Sequence, residues 1–343
     1  MSENRQAPKD IEAGQEWRVS QFTPGDAPGV VELFRSVYGE GYPVRTYMDT
    51  KLLIAENGAG RTISSVAKTA RGEVVGHTAL FNSAPHPGTY ESGAGMVHAA
   101  YRGGKGIFTQ LVAHGLEIAA GMPNVQTAFG EPVCNHPFSQ KLTLKLDFVL
   151  RALEVDLMPA AAYEKEASAA GRVAAFLAFK TLRLKPQTVY LPPVYRDDLH
   201  FFYEDLGDER EFRTADSHIP AGSLTDLRSQ IFAFAGVARV AIHAIGADFS
   251  TCLDTLEQTL AREGVVVIQL WLKLDCPWMG AATEILRERG FFIGGALPRW
   301  FDIDGFLMQK ICKQPDWDGI CTVTERGAQV LQRVRADWQR TQE

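Results

Sequence analysis

The chain predicts a mixed α/β (α+β) protein built from two domains. Strand and helix signals alternate along most of its length. Its 343 residues exceed the comfortable size of a single hydrophobic core. One strand-to-helix junction, residues 101–108, is rich in glycine and basic residues.

The elements follow in order. Residues 17–22 alternate as a strand, Pro24-Gly25-Asp26 turns the chain, and Asp26 is placed to cap a helix carrying Val30, Val31, Leu33, Phe34 and Val37. A second helix is expected over 46–56 and a strand over 62–68. Ala70-Arg71-Gly72 then makes a hairpin turn into a strand over 73–81. After a Pro- and Gly-containing loop, a strand over 93–101 runs into the glycines. Ile107, Leu111, Val112, Leu116 and Ile118 have helical spacing beyond them. Strands are expected over 125–129 and 148–157, with a helix over 139–146 between them. Residues 160–184, rich in alanine, read as an amphipathic linking helix. Leu191-Pro192-Pro193 marks a boundary. Beyond it come strand 237–244, helix 250–263 with Asp248 or Ser250 as cap, strand 265–274, helix 281–289, strand 291–297 and a final amphipathic helix over 324–340.

Composition narrows the function classes. Hydrophobic residues at 45% and charged residues at 22% are those of a soluble globular protein. A net charge of −6 opposes an electrostatic grip on nucleic acid or anionic membrane, so neither partner is expected. The first fifteen residues lack the apolar core of a signal peptide, and no stretch approaches the roughly 20 apolar residues that span a bilayer. A cytoplasmic location is expected. Cys134, Cys252, Cys276, Cys312 and Cys321 show neither a CxxC pair nor zinc-ligand spacing, so reduced thiols and no metal are expected.

The most informative segment is Met96-Val97-His98-Ala99-Ala100-Tyr101-Arg102-Gly103-Gly104-Lys105-Gly106-Ile107-Phe108. A strand that ends in glycines and opens at once into a helix suits a pyrophosphate. Glycines let backbone N–H groups converge on one anion, and the helix N-terminus adds partial positive charge. Arg102 and Lys105 raise the local potential. A dinucleotide fingerprint and an ordinary P-loop are both missing from this region.

These residues resemble the GNAT superfamily of acyltransferases. Tyr101–Ile107 is similar to the family's Y-R-G-K-G-I run with one extra glycine. Asn135, Ser139, Leu142 and Phe148 match its later N…A-x-x-L-Y-x-x-x-G-F block, and Gly72-Glu73-Val74-Val75-Gly76 resembles its third-strand hairpin. The resemblance covers about residues 17–158. It implies a mixed central sheet of GNAT type, acetyl-CoA or another acyl-CoA as co-substrate, and an amine acceptor. Backbone atoms of Val97, His98 and Ala99 would pair with the pantetheine arm. Amides from Gly103 through Gly104, Lys105, Gly106, Ile107 and Phe108 would hold the pyrophosphate, beside Arg102. Asn135 and Ser139 would line the far side of the channel. The family's acidic tyrosine corresponds to Thr143, whose hydroxyl is no acid near neutral pH. Tyr101 and Tyr163 could substitute. Glu131 is the first candidate for general base, ahead of His98 and Glu91; direct attack with proton loss to water is the alternative. A non-catalytic acyl-CoA-binding or regulatory module is the competing function.

The second half repeats part of the pattern. Residues 282–291 align with 139–148, yet the earlier turn reads Ile245-Gly246-Ala247-Asp248-Phe249-Ser250, with one glycine and an aspartate where an anion would sit. The organisation expected is a tail over 1–16, a GNAT domain over 17–159, a linking helix over 160–190, a degenerate GNAT-like domain over 191–313 and a terminal helix over 314–343. Tyr203, Trp278, Trp300 and Phe301 could line an acceptor cleft or fill a core.

Overall fold

The N-terminal strands pair into an antiparallel sheet with helices on both faces. A computed structural model describes residues 11–103, 106–159, 171–207 and 209–343. In it β1 (Trp17–Gln21), β2 (Thr62–Thr69), β3 (Val74–Asn82) and β4 (Thr89–Val97) lie in that order, each antiparallel to the next. Between β1 and β2 come α1 (Ala27–Tyr38) and α2 (Thr50–Gly58), and α3 (Ile107–Gly121) follows β4. The period of two decides which helix covers which face. Val66 and Val74 pack with Val30 and Phe34 of α1. Their neighbours Ala67 and Val75 pack with Ile107 and Leu111 of α3.

Contacts divide the chain into two compact units, one holding the residues up to Ser83 with Tyr90–Ala128, the other Ala84–Thr89 with Phe129–Glu343. Strand β5 (Thr127–Gly130) falls at the division. The second unit continues with α4 (Phe138–Lys145), β6 (Val149–Pro159), β7 (Arg172–Thr181), β8 (Gln187–Leu191), α5 (Arg196–Tyr203), β9 (Arg210–Thr214) and β10 (Asp226–Phe232). Then come β11 (Val237–Ala244), α6 (Phe249–Arg262), β12 (Val267–Lys273), α7 (Met279–Glu288), β13 (Phe292–Leu297), β14 (Gly305–Ile311) and α8 (Glu325–Arg340). Its mixed sheet runs β7-β6-β13-β14-β12-β11-β10, with β11 and β12 parallel and the other neighbours antiparallel. Strands β8 and β9 pair apart from it. Trp300 and Phe301 are core, packed with Phe129, Phe179 and Trp271, and Tyr203 is buried as well.

Two expectations are corrected. Residues 172–181 of the expected linking helix are strand β7, while 160–170 and Tyr163 lie outside the described residues. Every residue from Val173 to Phe179 is buried, so the run shows no alternation, and periodicity cannot separate such a strand from a buried helix. The strand expected over 93–101 ends at Val97, and Ala99–Tyr101 is one turn of 3-10 helix. Strands β9 and β10, largely exposed, have few apolar residues and no clear alternation.

Candidate functional site

The first unit builds the start of α3 from the core outward. Ile107 and Leu111 are buried against Ala67, Val75 and Tyr101, which fixes the helix on the sheet. Tyr101 is 1% exposed, and its hydroxyl donates to the Glu12 carbonyl at 2.7 Å. The His98 amide donates to the Val75 carbonyl at 2.9 Å, the last such bond before the chain leaves the sheet. Arg102 folds back, its Nε donating to the Val97 carbonyl at 2.9 Å while the side chain stays exposed. Gly103 and Gly106 then take φ of 91° and 71°, the left-handed region that favours glycine. Gly106, a residue with no side chain to cap with, is the N-cap of α3. The first amides of a helix have no partner within it, so this end presents donors and the positive pole of the helix dipole. Gly104 and Lys105 lie outside the described residues. Phe108, 38% exposed, lays its ring over Gly95 of β4, leaving no room there for a Cβ.

Next to this end β4 carries a bulge. Its register against β3 shifts between the pairs His77↔Met96 and Ala79↔Gly93, and Ala94 sits at φ 48°. His77 holds the bulge from beneath. Its Nδ1 lies 2.9 Å from the Ala94 carbonyl and its Nε2 3.1 Å from the Ser64 hydroxyl. A carbonyl only accepts, so Nδ1 carries the proton. Burial pushes the His77 pKa down to about 4, so the ring is neutral at pH 7. The sequence reading missed this residue, whose only signal was a histidine within an apolar strand. It also missed a ring cluster in the same unit. Tyr42 lies 4.8 Å from Phe34 and 4.9 Å from Tyr38, and Phe34 stacks on Tyr47 at 5.0 Å. Glu91, opposite Phe81 across the sheet, is close enough that its charge adds to burial in raising the Tyr42 and Tyr47 phenols. His98 is half-buried, and its Nδ1 receives the Ala100 amide at 3.4 Å.

The second unit holds the other candidates. Glu131 is ion-paired, its Oε1 2.8 Å from Arg239, which also reaches Glu154 at 3.1 Å and donates to Gln269 at 2.9 Å. The pair engages Oε1, and the carboxylate's second oxygen is a further acceptor. Asn135 is half-buried, and Ser139 makes a long contact with the Val133 carbonyl at 3.4 Å. The Thr143 hydroxyl donates to the Gln140 carbonyl of its own helix at 2.8 Å, so its proton is already committed. Burial pushes the Cys134 thiol up. Among the described residues no group of three or more His, Cys, Asp or Glu is placed to hold a metal, and no helix is long and apolar enough to cross a membrane.

About half of the chain resembles solved GNAT acetyltransferases. An N-acetyltransferase of Staphylococcus aureus is 18% identical over 49% of this chain and 99% of its own, with a TM-score of 0.39. A GNAT superfamily phosphinothricin acetyltransferase of Sinorhizobium meliloti, solved with acetyl-CoA, is 18% identical over 48% and 88%, at 0.39. A ribosomal-protein-S5-alanine acetyltransferase of Vibrio fischeri is 14% identical over 50% and 97%, at 0.38. No family model and no curated protein matches the sequence. The likeness assigns no substrate and no residue role.

The second unit has a strand-to-helix junction of its own, from β11 into α6, where the two amides ahead of the Asp248 N-cap are bonded to the preceding loop, while the Asp248 side chain caps no helix amide. The Gly246 amide donates to the Thr225 hydroxyl at 3.1 Å and the Ala247 amide to the Ser223 carbonyl at 3.0 Å. The Asp248 carboxylate in turn accepts the Thr225 amide at 2.8 Å. Residues 223–225 press so closely on Gly246 that a Cβ would meet the Ser223 carbonyl oxygen. Strands β11 and β12 stay paired from Val237↔Val267 to Ile242↔Leu272 without a shift.

Proposed function

We propose that this chain is an acyl-CoA-dependent N-acyltransferase of GNAT type, with acetyl-CoA the first donor to test. The observation that carries the reading is the start of α3: a helix N-terminus with glycine as its N-cap, reached through left-handed Gly103 and Gly106 and flanked by Arg102. Amides from Gly103 to Phe108 would hold the cofactor's pyrophosphate. Val97, His98 and Ala99 would pair with the pantetheine arm. A free amine attacks the thioester carbonyl, the tetrahedral intermediate expels the coenzyme A thiolate, and the amine's surplus proton leaves through a base while the thiolate is protonated. Glu131 is the first candidate for that base, then His98 and Glu91. The hydrogen bond from the Thr143 hydroxyl to the Gln140 carbonyl supports leaving this residue out of proton transfer.

A second GNAT-like unit, without a cofactor site of its own, accompanies it. The succession β11-α6-β12-α7-β13-β14 repeats β4-α3-β5-α4-β6-β7 along the chain, which supports this reading. The acceptor is an amine; a cytoplasmic enzyme would meet amino acids, small amines and protein lysines alike.

The committed Thr143 hydroxyl favours one other reading, an acyl-CoA-binding module that does not turn over. Calorimetry with acetyl-CoA, followed by free-thiol detection over a panel of amines, separates the two. The enzyme binds one acetyl-CoA per chain and releases thiol only with an acceptor amine. A binding module gives the first result without the second, and no binding at all removes both readings.

A further inference from the structure

We infer that Cys134 and Cys321 form a thiol–disulfide modification site, one that reacts with a small-molecule disulfide and closes into a bridge within the chain. The Cys321 amide donates to the carbonyl of Cys134 itself at 2.7 Å. Standard bond lengths then put the two Cα atoms about 5–6 Å apart. That lies inside the window of roughly 4.4–6.8 Å over which disulfides form. Both backbones are held in place. The Cys134 amide donates to the Ala174 carbonyl of β7 at 2.8 Å, and the fully buried Gln140 donates its Nε2 to the Cys321 carbonyl at 2.8 Å. Among the described residues, no other two cysteines are joined by a backbone hydrogen bond. Burial, and then the nearness of Cys321, push the Cys134 thiol up, so the two thiols are within electrostatic reach of each other.

The exposures set the order of events. Cys134 is 0% exposed, whereas Cys321 is half-buried and within reach of a reagent. The Cys321 thiolate attacks one sulfur of the small disulfide, breaking its S–S bond and releasing one thiol. Cys134 then attacks the Cys321 sulfur of the mixed disulfide, and its proton passes to the second small-molecule thiolate as that leaves. Two cysteine thiols are oxidised and one small disulfide is reduced to two thiols. The bridge ties the segment leading into α4, with Asn135 and Ser139, to the chain shortly before α8.

The site does not depend on acyl transfer and is tested without it. The folded full-length chain is treated with oxidised glutathione, its free thiols are alkylated, and a digest without reductant is read by mass spectrometry. The Cys134–Cys321 peptide pair is expected at least about tenfold above any other pairing. Cys134→Ala stops at glutathione on Cys321, and Cys321→Ser leaves Cys134 reduced. A wild-type chain that ends with glutathione on Cys321 and no cross-link overturns the inference. So does a Cys134 that oxidises as fast in Cys321→Ser as in the wild type.

Discussion

At the start of α3 the chain turns through two left-handed glycines with Arg102 beside them; at the start of α6 it has a single glycine, Gly246, an aspartate as N-cap, and residues 223–225 bonded to the two amides that precede that cap. Both junctions follow a strand, and both helices carry the same dipole. The charged residues beside the two ends differ in sign: Arg102 precedes α3, whereas Asp248 is the N-cap of α6. On the proposed reading the α3 end, with its basic neighbour, is the one that takes an anion.

The largest expected effect removes the contrast outright. Gly106→Asp places a carboxylate at the open end and should weaken acetyl-CoA binding about 100-fold or more in calorimetry. The helix should survive, because aspartate tolerates left-handed backbone at a cost of roughly 1–2 kcal/mol. Unchanged affinity in that variant would break the comparison. No residual binding at the α6 end is expected either.

Glu131→Gln keeps the shape of the side chain and removes its charge. With an acceptor that turns over, kcat should fall by roughly 10²–10⁴ while acetyl-CoA affinity holds. A silent variant moves the base to His98 or Glu91.

Asp248→Ala tests the filled end. Hydrogen bonds from the Thr225 side chain and amide hold the Asp248 carboxyl below its ordinary value of 3.8. A lowered folded value means the carboxylate stabilises the fold above about pH 3.8, and the contribution is lost as pH falls through the folded value. The variant should melt below wild type at pH 7, and the gap should close in acid. A gap independent of pH would assign the effect to packing instead.

Thr143→Val is the smallest change. It removes one hydrogen bond within a helix, and the rate should shift by no more than about threefold. A loss as deep as that of a missing general acid would restore a catalytic role to this hydroxyl.

The sequence by itself determined the local chemistry. Glycines at 103 and 106 require a turn open to left-handed φ, and the apolar spacing of Ile107 and Leu111 makes a helix begin just after them. Asp248 and the single glycine at 246 marked the other junction as different. These are effects of neighbouring residues, and they can be read without knowing the fold. Tertiary structure alone decided what depends on distant partners. Residues 172–181 became a strand because the sheet buries both of their faces, which erases the period that separates strand from helix. Residues 223–225 reach Gly246 across twenty positions, and Arg239 reaches Glu131 across more than a hundred. His77 acquired its neutral ring and its place beneath Ala94 only when β3, β4 and α1 closed around it. Long-range pairing of this kind leaves no pattern in local sequence, because each partner taken alone is an ordinary residue of its own segment.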